Sequence, residues 1–190
     1  MKDASLDMRF NNCDNERMTA EEIINNISEE ELSDSLKKYG DIQKHARIAK
    51  CIVNERKKKR ISTTFDLKKV LSKALPYESY KKLSIVFQVI RILVNNEIEV
   101  IKQTLELLLH YLKIGGRIAV ISFHSVEDRI IKHFFKDLVI YKDLSYSIAS
   151  QNLNHKLKII TKKPIIESKS NLYKNPRARS AKLRVAERIK

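Results

Sequence analysis

The chain has 190 residues, 43% of them hydrophobic and 32% charged, and a formal net charge of +15. This composition is typical of one large globular domain, or of one and a half small ones, and it excludes a disordered chain. The longest stretch without a charged residue, 144–155, is polar and too short for a membrane span, which needs about 18 apolar residues. No apolar segment follows Met1, so we expect a cytoplasmic protein without membrane contact.

The cysteines, histidines and glycines exclude several kinds of site. Cys13 and Cys51 are too few for a disulfide framework or a zinc knuckle, and the histidines have no ligand spacing, so no metal is expected. Gly40, Gly115 and Gly116 are the only glycines. A Gly-rich phosphate or dinucleotide loop needs glycines spaced as in Gly-x-Gly-x-x-Gly, so the sequence predicts no cofactor-binding residue in this chain.

Positive charge is concentrated near the C-terminus. Residues 1–40 hold five Lys or Arg and ten Asp or Glu, whereas residues 151–190 hold 12 and two. Such a concentration attracts polyanions, and nucleic acid is the expected partner. A composition that is rich in lysine everywhere is the alternative explanation, but it does not account for the arginines near the C-terminus.

Residues 1–18 are predicted to be irregular, and two helices follow them. Thr19 and Ser28 each begin a capping-box pattern, with a glutamate three positions later, which indicates two helix N-termini. Gly40 is expected to supply the left-handed residue that ends the second helix.

Two more helices are predicted before residue 78. The first covers 43–59, with Ile48, Ile52 and Val53 facing inward and Arg47, Lys50 and Arg56 facing outward. The second begins after Thr63 and ends before Pro76, because proline cannot continue a helix.

The segment from residue 79 onward alternates helices and strands. The predicted elements are two apolar helices (83–93 and 98–112) divided at Asn95-Asn96, a buried strand (117–123), a helix from His124, and two half-exposed strands (157–162 and 181–188). A helix, a glycine turn, an apolar strand and another helix together predict a mostly parallel sheet, with the last two strands antiparallel at its end.

Three polar strings could carry chemistry. Ser122–Arg129 lies where a strand ends and a helix begins, the place where open α/β sheets bind ligands. The alternative is a helix cap with internal Asp–Arg pairing. A Ser-His-Asp hydrolase is disfavoured, because no G-x-S-x-G turn is present. Leu6–Arg9 could equally be a surface ion pair, and Asn175–Ser180 has arginines spaced for phosphate contact or for solvent.

The order of these strings resembles the ribosomal RNA small subunit methyltransferase H family. The matching strings are Leu6–Arg9, Phe87–Ile98, Gly115–Arg129 and Asn175–Arg184. The resemblance covers nearly the whole chain, with Phe10 standing where the family commonly has methionine. The segment 143–155 has no pattern that we can match.

This resemblance implies an incomplete class I (Rossmann-like) methyltransferase α/β fold with a helical insertion domain. Residues 1–18 would lead in from the catalytic domain, 19–78 would form the insertion, and 79–190 would be the C-terminal part of the α/β domain. The implied reaction transfers a methyl group from S-adenosyl-L-methionine to N4 of a cytosine in 16S ribosomal RNA. That RNA or the small ribosomal subunit is the implied partner.

Site residues follow from motif position and from charge. The catalytic candidates by motif position are Asp7, Arg9, His124, Ser125, Glu127 and Asp128. The candidates for holding RNA are Arg47, Lys50, Arg177, Arg179, Lys182 and Arg184.

The first strands of the family's sheet, its Gly-rich loop and its ribose-binding acid have no counterpart in this sequence. We therefore expect negligible binding of S-adenosylmethionine and an unpaired edge along strand 117–123. The chain is then expected to be a truncated enzyme, a split enzyme that needs a separate N-terminal half, or a non-catalytic basic RNA-binding remnant.

Overall fold

The computed structural model describes residues 3–11, 17–76, 80–139 and 157–190. Cys13 and the segment 143–155 lie outside the described residues. The chain divides into two compact units, Met1–Glu97 and Ile98–Lys190.

The first unit is helical. Its helices are α1 (Ala20–Asn26), α2 (Glu29–Gly40), α3 (His45–Lys58), α4 (Thr64–Ala74) and α5 (Tyr80–Asn95). Both predicted capping boxes are confirmed, because Thr19 with Glu22 and Ser28 with Glu31 each exchange side-chain and backbone hydrogen bonds. Since the capping residues satisfy amides that have no partner within the helix, α1 and α2 begin where the sequence predicts.

Apolar residues from all five helices form one core in this unit. Ile48, Ile52 and Val53 of α3 are buried as predicted. Leu6 is 1% exposed and belongs to the same core, although it precedes the first helix. Burial of such a side chain stabilises a fold by about 1.5–3 kcal/mol, so the N-terminal segment is anchored by its own packing.

Two predictions for this unit are wrong. Asp41, not Gly40, is the left-handed residue after α2, with φ 49°. Gly40 is the last helical residue, and a Cβ there would lie 2.9 Å from the Ile42 side chain, so close packing explains the glycine. Arg56 is only partly exposed rather than directed fully outward, because its Nη1 donates to the carbonyls of Ile24 (2.8 Å) and Ile27 (2.7 Å) at the end of α1.

The second unit combines helices with a small sheet. Its elements are α6 (Glu97–Tyr111, whose first residue belongs to the first unit), β1 (Arg117–Ser122), α7 (Ser125–Asp137), β2 (Leu157–Ile159), β3 (Ile165–Ile166), α8 (Lys169–Lys174), a 3₁₀-helix (Pro176–Ser180) and β4 (Lys182–Arg188). Its core joins α6, α7 and the sheet through Leu105, Leu109, Ile118, Ile131 and Phe135. No helix in the described ranges is long and apolar enough to cross a membrane.

The sheet is antiparallel in every pairing between its named strands, so the prediction of a mostly parallel sheet is wrong for the described strands. β4 lies between β1 on one side and β2 and β3 on the other. The neighbour of β1 is the returning C-terminal segment rather than a strand reached by a βαβ crossover, and this reverses its direction. Within the described residues β1 pairs with β4 alone, which leaves the predicted open edge.

Candidate functional site

The string Leu6–Arg9 lies in a loop that is attached to the helical unit by its backbone. The Leu6 amide donates to the Ser62 carbonyl at 3.0 Å. The carbonyls of Leu6 and Asp7 accept from the amides of Glu21 (2.6 Å) and Ala20 (2.7 Å) in the first turn of α1. The first amides of a helix have no hydrogen-bond acceptor within the helix. The loop carbonyls therefore accept hydrogen bonds from the first amides of α1, and these bonds hold the loop in place.

Asp7 and Arg9 form a two-point ion pair within this loop. Arg9 Nε donates to Asp7 Oδ1 at 2.7 Å and Nη2 to Oδ2 at 2.9 Å, and the Arg9 amide adds a third bond to Oδ1 at 3.1 Å. The hydrogen bonds from Arg9 lower the pKa of Asp7 below its usual value. The Asp7 side chain remains 32% exposed, so an ionised and oriented carboxylate faces solvent.

Asn95 holds the next part of the loop. Its Oδ1 accepts from the Phe10 amide, and its Nδ2 donates to the carbonyls of Met8 and Arg91, all at 2.9 Å. Asn95 is 3% exposed, and Met8 has φ 63°, a left-handed conformation that costs free energy in a residue with a side chain. The buried amide therefore fixes a strained turn beside Asp7 and Arg9.

Arg91 forms a second two-point ion pair in the same unit. Its Nε and Nη2 donate to Glu97 Oε1 (2.7 Å) and Oε2 (3.0 Å), and its guanidinium carbon lies 5.8 Å from the centre of the Phe10 ring. Sequence reasoning gave Arg91, Asn95 and Glu97 no role, because no spacing rule links residue 95 to residues 8 and 10. Their presence in one of the matching strings was the only available signal.

In the second unit, His124 and Glu127 form the cap of α7. His124 Nδ1 accepts from the Glu127 amide at 3.3 Å, and Glu127 Oε2 accepts from the amides of Phe123 (2.7 Å) and His124 (3.2 Å). Burial alone would raise the pKa of Glu127, but hydrogen bonds from His124 and Phe123 outweigh it and leave the pKa below its usual value. The alternative explanation of this string, a helix cap, is therefore confirmed for these two residues.

Asp128 is paired with the C-terminal strand rather than with its neighbour Arg129. Its Oδ1 accepts from Arg184 Nε at 2.7 Å, its Oδ2 accepts from Arg184 Nη2 at 3.2 Å, and Lys182 Nζ lies 3.3 Å away. Burial alone would raise the pKa of Asp128. The hydrogen bonds and charges of Arg184 and Lys182 outweigh burial, so the pKa lies below its usual value.

This pairing corrects one predicted RNA contact. Arg184 is 8% exposed and both its Nε and Nη2 are bound to Asp128, so its guanidinium cannot reach a phosphate without breaking a buried ion pair. The same geometry makes Asp128 a residue that joins α7 to β4 instead of an open carboxylate. Lys182 remains partly exposed.

The remaining candidates lie on the surface. Arg177 and Arg179 are exposed on the 3₁₀-helix, whose first amide is capped by Asn175 Oδ1 at 3.2 Å. Arg47 and Lys50 are exposed on α3, and Ser125 is exposed at the start of α7. These side chains are accessible to a ligand.

The three glycines of the chain are not spaced as a Gly-rich S-adenosylmethionine loop requires. Gly115, with φ 80°, makes the turn before β1, and a Cβ on Gly116 would lie 2.7 Å from the Leu112 side chain. Since Gly40 is also explained by packing, every glycine of the chain has a local structural reason. Gly115 has nothing within 4 Å of a Cβ built on it, but no second glycine stands at the spacing of a Gly-x-Gly-x-x-Gly loop.

Comparison with known proteins identifies relatives along the whole chain. The model of the MraW methylase family matches residues 1–189. Proteins named ribosomal RNA small subunit methyltransferase H are similar: that of Halothermothrix orenii is 42% identical over 196 residues, covering 99% of this chain and 62% of the relative. That of Fusobacterium nucleatum is 44% identical (98% and 60% covered), and that of Clostridioides difficile is 43% identical (100% and 62%). The chain thus spans about three fifths of the length of these relatives.

Proposed function

The chain belongs to the MraW methylase family, and from this premise we propose that it takes part in the S-adenosylmethionine-dependent methylation of cytosine N4 in 16S ribosomal RNA. The match over residues 1–189, together with relatives named for rRNA methylation, carries the proposal. The reaction would form an N–CH₃ bond at cytosine N4 in place of one N–H bond, break the S–CH₃ bond of S-adenosylmethionine to leave S-adenosylhomocysteine, and release one proton. On this view residues 79–190 belong to a Rossmann-like methyltransferase domain and 19–78 to a helical insertion.

The proposed contribution of this chain is to hold the RNA and the target base. Asp7 is ionised near neutral pH and oriented by Arg9, so it can accept a hydrogen bond from the cytosine amine. An acceptor there localises the N4 lone pair that forms the new bond. Because positioning is the main contribution to such a transfer, a fixed carboxylate is suited to the task.

Exposed cations would bind the phosphate backbone. Arg177 and Arg179 on the 3₁₀-helix and Arg47 and Lys50 on α3 are accessible, and each phosphate contact releases counterions. The alternative function is RNA binding without catalysis. It is favoured by one observation, that the three glycines of the chain lack the Gly-x-Gly-x-x-Gly spacing.

Two measurements separate these functions. Titration calorimetry with S-adenosylmethionine tests the cofactor, and we expect no binding by this chain alone. Transfer of a labelled methyl group to small ribosomal subunits tests catalysis. Transfer that Asp7→Asn reduces supports the methylation proposal, whereas RNA binding with no transfer, even when the N-terminal part of a relative is added, supports the binding function.

The RNA interface has its own test. Arg177→Gln with Arg179→Gln should weaken binding to a 16S RNA fragment and reduce the slope of log K against log salt by about 0.7–0.9 for each lost phosphate contact. The matched control is Lys37→Gln with Lys38→Gln, which removes the same charge from the last turn of α2. Equal losses in the two double variants would mean that net charge, not the 3₁₀-helix, binds the RNA.

A further inference from the structure

Phe10 is a large apolar side chain that the fold leaves in solvent next to the Asp7–Arg9 pair. It is 72% exposed, although it follows directly after the hydrogen-bonded loop. A single exposed apolar residue is ordinary on a protein surface. The contacts that hold this one in place are what distinguish it.

The Phe10 backbone is held in place by a hydrogen bond to a buried side chain. The Asn95 side chain, 3% exposed, binds the Phe10 amide and the Met8 carbonyl, and so holds both sides of the loop's last turn. The left-handed Met8 is part of that turn. Strained backbone supported by a buried polar side chain is typical of positions where geometry has a use.

The ring itself is supported by a cation on one face. The Arg91 guanidinium lies 5.8 Å from the ring centre and is in turn held by Glu97, which is 9% exposed. A chain of contacts from a buried carboxylate to a guanidinium thus places a fixed cation over the Phe10 ring. The ring itself remains largely accessible, at 72% exposure.

We propose that Phe10 is a stacking platform for an unpaired nucleobase of the RNA. This inference rests on the proposed function and adds to it a specific contact beside the candidate carboxylate. A pre-oriented aromatic ring loses little conformational entropy when a base stacks on it, and stacking tolerates any base because every base has a π face. The exposed cations Arg47 and Lys50 in the same helical unit supply the phosphate attraction that a lone aromatic ring lacks.

The test compares two probes and three proteins by fluorescence anisotropy. The probes are a short labelled oligocytidylate and an oligonucleotide with the same backbone but abasic at every position. The proteins are the wild type, Phe10→Leu and the matched control Phe65→Leu. Phe65 is also an exposed aromatic of the helical unit with a cation over its ring, Lys68 at 6.0 Å, but it lies in the first turn of α4.

Stacking predicts an effect that depends on both the base and the residue. Phe10→Leu should weaken oligocytidylate binding by roughly 5- to 100-fold, from the usual contribution of one stacked base, and should leave the abasic probe unchanged. Phe65→Leu should change neither. Equal effects of Phe10→Leu on both probes, or no effect on either, would overturn the platform while leaving RNA binding intact. A wild type that binds neither probe nor a 16S RNA fragment would overturn the proposed function as well.

A spectroscopic readout covers the case in which leucine disturbs the loop. The chain has no tryptophan, so Phe10→Trp introduces a single tryptophan at the platform, whose emission can be excited apart from that of the tyrosines. Its emission should be quenched on adding oligocytidylate but not on adding the abasic probe, and Phe65→Trp should respond to neither. Identical responses at the two positions would contradict the proposal.

Discussion

The two polar strings nearest the candidate chemistry use the same residue types in opposite ways. In the first unit Asp7 pairs with Arg9, two positions along the chain, and the Asp7 side chain stays 32% exposed. In the second unit Asp128 pairs with Arg184, 56 positions away, and both side chains are about 10% exposed. A local pair leaves its carboxylate accessible, whereas a long-range pair is used to join α7 to β4.

The two units also differ in how the backbone groups at the ends of helices and the edges of strands are hydrogen-bonded. The first unit closes its helix ends with Thr19, Ser28 and Arg56. The second has a strand, β1, whose outer edge is unpaired within the described residues and whose Ile121 is 58% exposed. The N-termini of α1 and α2 are therefore capped, whereas one edge of β1 has no strand partner among the described residues.

This contrast predicts the largest effect. The purified chain should self-associate through β1, since an unpaired apolar edge pairs with other chains. Ile121→Lys should shift the sedimentation profile toward monomer, because edge lysines block such pairing. Phe65→Lys, an apolar-to-lysine change at an exposed position of the helical unit, should leave the profile unchanged. A wild-type monomer whose β1 amides are all protected from hydrogen exchange would contradict this.

The buried ion pair should contribute more to stability than any other single contact of the two strings. Arg184→Met leaves Asp128 buried with only Lys182 nearby, so we expect a loss of about 3 kcal/mol in the free energy of unfolding. Denaturant unfolding measures it, with Arg179→Met, exposed in the same segment, as the control. The double variant Asp128→Leu with Arg184→Met should recover most of the loss, because no buried charge is then left unpaired. No recovery would mean that packing, not charge, accounts for the effect.

An intermediate effect is expected at Asn95. Asn95→Leu removes the partners of the Phe10 amide and the Met8 carbonyl, and should lower the free energy of unfolding by about 1–3 kcal/mol. Amide exchange at Phe10 should accelerate more than exchange in the α3 core. Asn54→Leu, on the exposed side of α3, is the control and should stay within about 0.5 kcal/mol. Equal stability of the two variants would show that the loop does not depend on the amide.

Sequence alone predicted what depends on local chemistry. The capping boxes at Thr19 and Ser28, the division of the apolar helices at Asn95-Asn96 and the strand after Gly116 follow from short-range rules, and all are confirmed. The sequence did not predict side-chain contacts between positions far apart in the chain. No pattern rule connects Arg184 with Asp128, so an arginine in a basic tail was predicted to bind phosphate.

The smallest effect, and the one that separates the two pairs most directly, is their pH dependence. The folded-state pKa of Asp7 and of Asp128 is lowered from 3.8, so each pair stabilises the fold above the unfolded pKa. That stability is lost as the pH falls through the lowered folded value.

Because Asp7 is partly solvated, Arg9→Gln should cost less than about 1 kcal/mol at neutral pH and should return the pKa of Asp7 toward 3.8. Carboxylate ¹³C titration from about pH 5 to pH 1 measures both residues in one sample. Arg9→Gln should move the Asp7 midpoint and leave Asp128 unchanged, since each acid owes its low pKa to a different arginine. A common shift of both midpoints would show that the net charge of the chain sets the two pKa values, and the distinction between a local and a long-range pair would fail.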